Sequence, residues 1–228
     1  MRVLVESGFT AFGQMVTWAE LIGQVFALAV VFLAQRRTLW TWPVQLVSVG
    51  LLFAVYLGAH LGGLAVRQVV VGVIAVYGWW AWTRRRDPVF GVVVRRATRA
   101  ELAVVAGLYA AGTVGFALVL DAFDASWAPW PDAAIFVGTL LAFAMQARGV
   151  VEFWLVWLVV DAVGVPLQIA SGLWFSALVY LVFAGLVVHG WMSWFRSAGT
   201  QKGALPGESA LRGGTTPRPG RTSADRPR

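Results

Sequence analysis

Seven blocks of apolar sequence fill the chain from residue 15 to residue 195, each near the length that crosses roughly 30 Å of hydrocarbon. They run over about 15–34, 39–58, 64–83, 100–120, 130–147, 150–170 and 173–195, and within them apolar residues are continuous rather than alternating with polar ones. Only 13% of residues are charged and the mean hydropathy is +0.72, whereas a soluble domain carries about twice that share of charge. The expected fold class is an all-α polytopic membrane protein with seven transmembrane helices. The first block runs on to Gln35-Arg36-Arg37 and reads as a span; no typical cleavable signal peptide is evident. The chain has no cysteine, and His60 and His189 are far apart in sequence, so neither a metal site nor a cofactor is expected.

A net charge of +7 raises the question of nucleic acid, but the location of the charge answers it. Arg36 and Arg37 follow the first block, six arginines between 84 and 99 follow the third, Arg148 follows the fifth, and Arg196 with the tail follows the seventh. Sixteen of the eighteen Lys and Arg thus fall on one side, with Arg2 and Arg67 left over. The opposite side carries Asp121, Asp124 and Asp132 in "DAFDASWAPWPD". The positive-inside rule makes the basic side cytoplasmic, with the N-terminus outside and the C-terminus inside. The expected organisation is an outer N-terminal segment (1–14), a three-helix unit (15–83), a basic cytoplasmic loop (84–99), a linker helix (100–120), a second three-helix unit (130–195) and a cytoplasmic tail (196–228). The tail is rich in Gly, Pro, Ser, Thr and Arg, cannot bury a core, and is expected to be disordered.

The two three-helix units look like repeats. "VYGWWAW" at 76–82 and "VHGWMSW" at 188–194 align at an offset of 112, pairing Gly78 with Gly190, Trp79 with Trp191, and Trp82 with Trp194. Gln68 meets Tyr180 at the same offset. Three spans reverse direction, so a fourth between the units makes them parallel: a 3+1+3 arrangement with parallel repeats, which in transporters places the substrate site between the halves near the midplane.

Polar residues inside the spans mark candidate contacts. Trp154, Trp157 and Asp161 are spaced i, i+3, i+7 and share one stripe at about 100° per residue. A carboxylate in hydrocarbon costs roughly 2.5–3.5 kcal/mol on insertion scales and is by default a functional candidate. Indole faces ending in a carboxylate suit a flat, cationic aromatic ligand. Gln68 and Tyr180 are further candidates, and Gln45 and Ser48 occupy the matching region of the second span. Trp79, Trp82, Trp191 and Trp194 sit at span ends as gate or membrane-interface residues. No phosphate-binding loop or hydrolase elbow is present, and the scattered acids supply no catalytic cluster, so a membrane-embedded enzyme or a scaffold subunit stands only as an alternative from another class.

Over about residues 18–194 the sequence resembles the PnuC family of bacterial nicotinamide riboside transporters. The residues that carry the resemblance are Trp18-Ala19-Glu20 with Gly23, Gln68 with Tyr77-Gly78-Trp79-Trp80-Ala81-Trp82, Glu152, Trp154, Trp157 and Asp161, and Tyr180 with Gly190 and Trp194. Family members often have Asn where this chain has Asp161. The resemblance implies a SWEET-like 3+1+3 fold in the bacterial cytoplasmic membrane, a homotrimer, and facilitated diffusion of nicotinamide riboside, trapped by a cytoplasmic kinase without direct contact. Trp154 and Trp157 would then stack the ring, with Asp161 and Gln68 in polar contact and Tyr180 lining the same cavity. Branches of the family carry thiamine or riboflavin, which are the alternative substrates.

Overall fold

A computed structural model describes residues 7–11, 13–58, 62–87, 91–172 and 174–203. His60, the first six residues and the tail from 204 onward lie outside the described residues. Seven helices follow in order: α1 (Trp18–Gln35), α2 (Thr41–Gly58), α3 (Gly62–Arg84), α4 (Arg99–Ala122), α5 (Pro129–Ala147), α6 (Phe153–Ala170) and α7 (Trp174–Gly203). Each falls on one of the seven apolar blocks. Among the described residues α4, α5, α6 and α7 are by themselves long and apolar enough to cross a membrane, while α1 and α2 carry shorter apolar stretches. The protein is an all-helical bundle of the polytopic membrane class, with large apolar side chains such as Val104, Leu108, Leu118 and Leu181 about half exposed on its outside.

Two short hairpins depart from the expected pattern. Residues 15–17, expected to open the first span, belong instead to strand β2 (Gln14–Thr17), which pairs antiparallel with β1 (Gly8–Ala11). The segment 84–99, expected as a basic loop, opens with β3 (Arg86–Asp87) and β4 (Gly91–Val92). It then straps across the bundle end: Arg95 N donates to Gly149 O at 2.9 Å and Val151 N donates to Arg95 O at 2.9 Å. Buried Glu152 completes the strap by accepting from Ala97 N at 2.7 Å, with Arg96 Nε at 3.5 Å. Gly149 sits in the left-handed region at φ 66°, and a side chain there would collide with the Val93 carbonyl of the strap. α4 then starts on a capping box between Thr98 and Glu101, and Glu101 also pairs with Arg95 at 2.6 Å. Burial pulls the Arg95 guanidinium down and the Glu101 hydrogen bond pulls it up; the hydrogen bond is the larger effect, and Arg95 is held above its ordinary value. α4 is almost wholly exposed, with Ala117 its one buried residue, and packs chiefly on α5. At the other end of the chain α7 continues past residue 195 to Gly203, about two turns into the segment expected to be disordered.

The bundle core concentrates at the arginine-rich end. Trp42, Trp82, Trp154 and Trp194 are all fully buried there. α2 crosses α3 where Gly78 leaves room for the Trp42 ring, and α6 crosses α7 where Gly190 leaves room for Trp154; a Cβ at either glycine would collide with the indole. Trp42 meets Trp82 edge-on at 5.3 Å and Trp154 meets Trp194 edge-on at 6.1 Å. Trp82 and Trp194 lie 6.0 Å apart and donate crosswise: Trp82 Nε1 to Gln146 O on α5, Trp194 Nε1 to Ala34 O on α1, each at 3.0 Å. Each of these contacts maps onto its counterpart by adding 112 to the residue numbers, including 34 onto 146 and 42 onto 154.

Two stability outcomes are expected from the melting temperature of the purified protein in detergent. Trp82→Phe and Trp194→Phe keep the ring and lose the N–H, and each is expected to cost about 0.6–1 kcal/mol. Equal drops for the two variants match the paired geometry; a drop for one alone contradicts it. Glu152→Ala leaves the Ala97 N–H without its carboxylate and is expected to cost about 1–3 kcal/mol.

Candidate functional site

A cavity of about 180 Å³ lies between α1, α2, α3, α5, α6 and α7, on the inner side of the buried tryptophans. Its floor belongs to the tryptophan cluster: Ala34 and Gln146, whose carbonyls accept from Trp194 and Trp82, both line it. One wall is aromatic, with Trp154, Trp157, Phe143 and Phe153. Phe143 meets Trp157 edge-on at 5.3 Å, which fixes the indole plane facing the cavity. The polar lining is Gln45, Ser48, Arg67, Gln68, Thr139 and Gln146. On α1 the lining runs from Gly23 to Ala34, about 16 Å along the helix axis.

The structure brings five of the expected substrate residues to this cavity: Trp154, Trp157, Gln68, Ser48 and Gln45. Asp161 and Tyr180 do not line it. Asp161 is buried inside the bundle at 5% exposure, and its Oδ2 has no hydrogen-bond partner among the described residues. Tyr180 packs against the Gly164 face of α6, pairs with the Gln168 side chain, and lies within electrostatic reach of both Arg67 and Asp161. Of the residues expected at span ends, Trp82 and Trp194 form the cavity floor's support. Trp79 is 40% exposed, and Trp191 packs on Phe195.

Two lining donors, Arg67 Nε and Gln146 Nε2, lie on residues not expected at the site, and a third is the indole N–H of Trp154, expected there as a stacking ring. All three are buried without a hydrogen-bond partner among the described residues. A buried donor left unpaired costs about 1–3 kcal/mol, more when charged, so three around one cavity describe a site that favours a ligand rich in acceptors. Arg67 had a signal in the sequence: it is one of two basic residues that break the charge asymmetry. Trp42 had one too, as the residue 112 positions before Trp154. Thr139 and Gln146 share one face of α5 with Asp132 at a spacing of seven, and that stripe is the signal that marks them. No cluster of His, Cys, Asp or Glu able to hold a metal occurs among the described residues.

Residues 17–196 match the family described as nicotinamide mononucleotide transporter. The chain is 44% identical over 214 residues to the riboflavin/roseoflavin transporter RibM of Streptomyces davaonensis, covering 92% of this chain and 100% of that relative. It is 21% identical over 232 residues to the nicotinamide riboside transporter PnuC of Escherichia coli, covering 86% of this chain and 93% of that one. Its fold is similar to the crystal structure of the vitamin B3 transporter PnuC, with a TM-score of 0.65 over 80% of this chain and 83% of that one at 19% identity. The seven-helix bundle, the central cavity and this family match converge: the chain belongs to the nicotinamide mononucleotide transporter family and is a multi-pass membrane transporter of the PnuC type.

Proposed function

We propose that the protein carries riboflavin, or a flavin close to it, across the bacterial cytoplasmic membrane by facilitated diffusion, with phosphorylation of the product inside the cell keeping the flux inward. The observation that carries this reading is the lining of the cavity by Arg67 together with two further unpaired donors beside an indole wall. A flavin ring system is flat, uncharged and rich in carbonyl and ring-nitrogen acceptors, so it stacks on Trp157 and accepts from Arg67, Gln146 and the indole N–H of Trp154. Nicotinamide riboside carries a permanent positive charge, which a guanidinium in a low-dielectric cavity repels. The 44% identity to a riboflavin/roseoflavin transporter points the same way. Nicotinamide riboside is the second reading, favoured by the indole wall and by the PnuC relative; thiamine, also a cation, meets the same objection from Arg67.

In this reading the two halves are parallel three-helix units joined by α4, whose chief contact is with α5. The tryptophan cluster closes the cytoplasmic end, and transport alternates by parting Trp82 and Trp194 from the opposite half. The N-terminus is outside, the C-terminus inside, and the assembly is a homotrimer. Because the chain lacks cysteine, single-cysteine labelling tests the orientation directly. Ala125→Cys is expected to react with an impermeant thiol reagent on intact cells, and Gly199→Cys only after the membrane is opened; the reverse pattern overturns the orientation.

The substrate test uses purified protein, with flavin fluorescence as the readout because stacking on indole quenches it. Riboflavin is expected to bind and to resist displacement by excess nicotinamide riboside or thiamine. Arg67→Ala, which removes a charged hydrogen bond of about 1.5–3 kcal/mol, is expected to weaken riboflavin binding about 10- to 150-fold, and Trp157→Ala to abolish the quenching. Displacement by nicotinamide riboside below the riboflavin concentration, with affinity raised by Arg67→Ala, reverses the assignment.

A further inference from the structure

A second concavity, of about 630 Å³, lies at the arginine-rich end on the outer side of Trp82, between the α1–α2 turn and α3. Arg36 and Arg37 line it, with Trp40 and Trp79 forming apolar walls that are 69% and 40% exposed. We propose that this groove is a binding site for the phosphate headgroup of an anionic phospholipid, with the acyl chains lying along the Trp40 and Trp79 faces.

Four observations carry the proposal. The first is the state of Arg37. Its guanidinium is half-buried, no acid pairs with it among the described residues, and burial holds it below its ordinary value. A partly buried cation without a partner is stabilised by an anion that reaches it. The second is the backbone. Arg37 sits at φ 55°, in the left-handed region, where Thr38 N donates to Leu33 O to close α1. The turn 112 residues later closes α5 in the same way, Val150 N donating to Met145 O, and there the left-handed position is Gly149. A left-handed residue with a Cβ costs roughly 1–2 kcal/mol, so an arginine in this position points to a use for its side chain.

The third is what covers the two turns. The α5–α6 turn is roofed by the chain itself, through Arg95 on Gly149 and Val151 and Ala97 on Glu152. The α1–α2 turn has no such roof among the described residues and opens as the groove. The fourth is charge and place. Arg36 stacks over Phe32 at 4.3 Å, and that ring is 47% exposed on the apolar outside of α1, so the groove meets hydrocarbon on one side. Basic pockets between spans at this level are suited to anionic headgroups. The tail is a poor occupant, since residues 196–228 hold six Arg and one Lys against two acids. A second copy in the same orientation brings mostly arginines to this level, with Glu101 and Glu152 already paired. A free phosphate satisfies the arginines but leaves the indole walls in water.

The test uses the full chain, purified in a zwitterionic detergent, and native mass spectrometry with added phosphatidylglycerol or phosphatidylcholine. Phosphatidylglycerol is expected to be retained in preference to phosphatidylcholine. The retention is expected to weaken about fivefold for each of Arg36→Gln and Arg37→Gln, the fold equivalent of about 1 kcal/mol per basic residue at an anionic surface. Arg37→Lys keeps part of it, and the tail variant Arg218→Gln/Arg221→Gln keeps all of it. Equal retention of the two lipids, or unchanged retention in the arginine variants, overturns the proposal. If a variant fails to fold, the wild type decides by competition: sodium phosphate that displaces the lipid fully at millimolar concentration makes this a soluble-anion site, and resistance to it supports the lipid. Retention lost only in the tail variant assigns the effect to the tail.

Discussion

Close approach of indole to glycine at two helix crossings is the contact on which this bundle depends. Lipid tails are as apolar as leucine, so burying an apolar face against another helix gains little in a bilayer, and association falls to shape and hydrogen bonding. Gly78 lets α3 settle on Trp42, and Gly190 lets α7 settle on Trp154. Those crossings set the position of Trp82 and Trp194, whose N–H groups then reach carbonyls on α5 and α1. The donors thereby join helices that are distant in sequence, at |i−j| of 64 and 160. The cavity floor, the placement of Trp154 beside Trp157, and the groove outside Trp82 follow from the same cluster.

Most of this frame was legible in the residues. Apolar blocks of spanning length mark all seven helices because backbone groups in hydrocarbon must be satisfied within the helix, so length and apolarity alone identify them. The paired endings Gly78/Trp82 and Gly190/Trp194 were visible at a fixed offset. What escaped was the use of the residues. Trp154 reads from its stripe as a ligand contact, yet its mate Trp42 does not line the cavity and serves as the knob against Gly78; Trp154 both lines the cavity and packs as the knob against Gly190. The strap at 91–98 was illegible because its partners are backbone groups more than fifty residues away, which no local pattern encodes. The capping box at Thr98 and Glu101 is the one part of that segment with a local signature.

Asp161 illustrates a different limit. Its cost in hydrocarbon marks it as a residue that must be kept from lipid, and it is buried inside the bundle. Spacing along one helix cannot show which neighbours it meets. The charge that lines the cavity is Arg67 on α3, and Tyr180 on α7 stands in electrostatic reach of both Arg67 and Asp161. The bundle keeps Asp161 out of lipid by burying it between helices, a placement that does not require it to touch the ligand.

The chemistry of the closed end bears on the passive transport proposed above. In that proposal a barrier to parting the halves must be crossed by the empty protein as well as the loaded one, since nothing but the substrate gradient supplies work. Ion pairs across the floor would be poor for this purpose, because separating buried charges costs several kcal/mol per ion. The floor instead uses two neutral N–H to carbonyl bonds between the units, worth about 1 kcal/mol each, and the tilted Trp82–Trp194 contact, worth about 0.5–1.5 kcal/mol. The sum, roughly 2.5–3.5 kcal/mol, is within the range that differential binding supplies to shift a two-state population. Both bonds run from an indole N–H to a backbone carbonyl, so breaking them separates no charges.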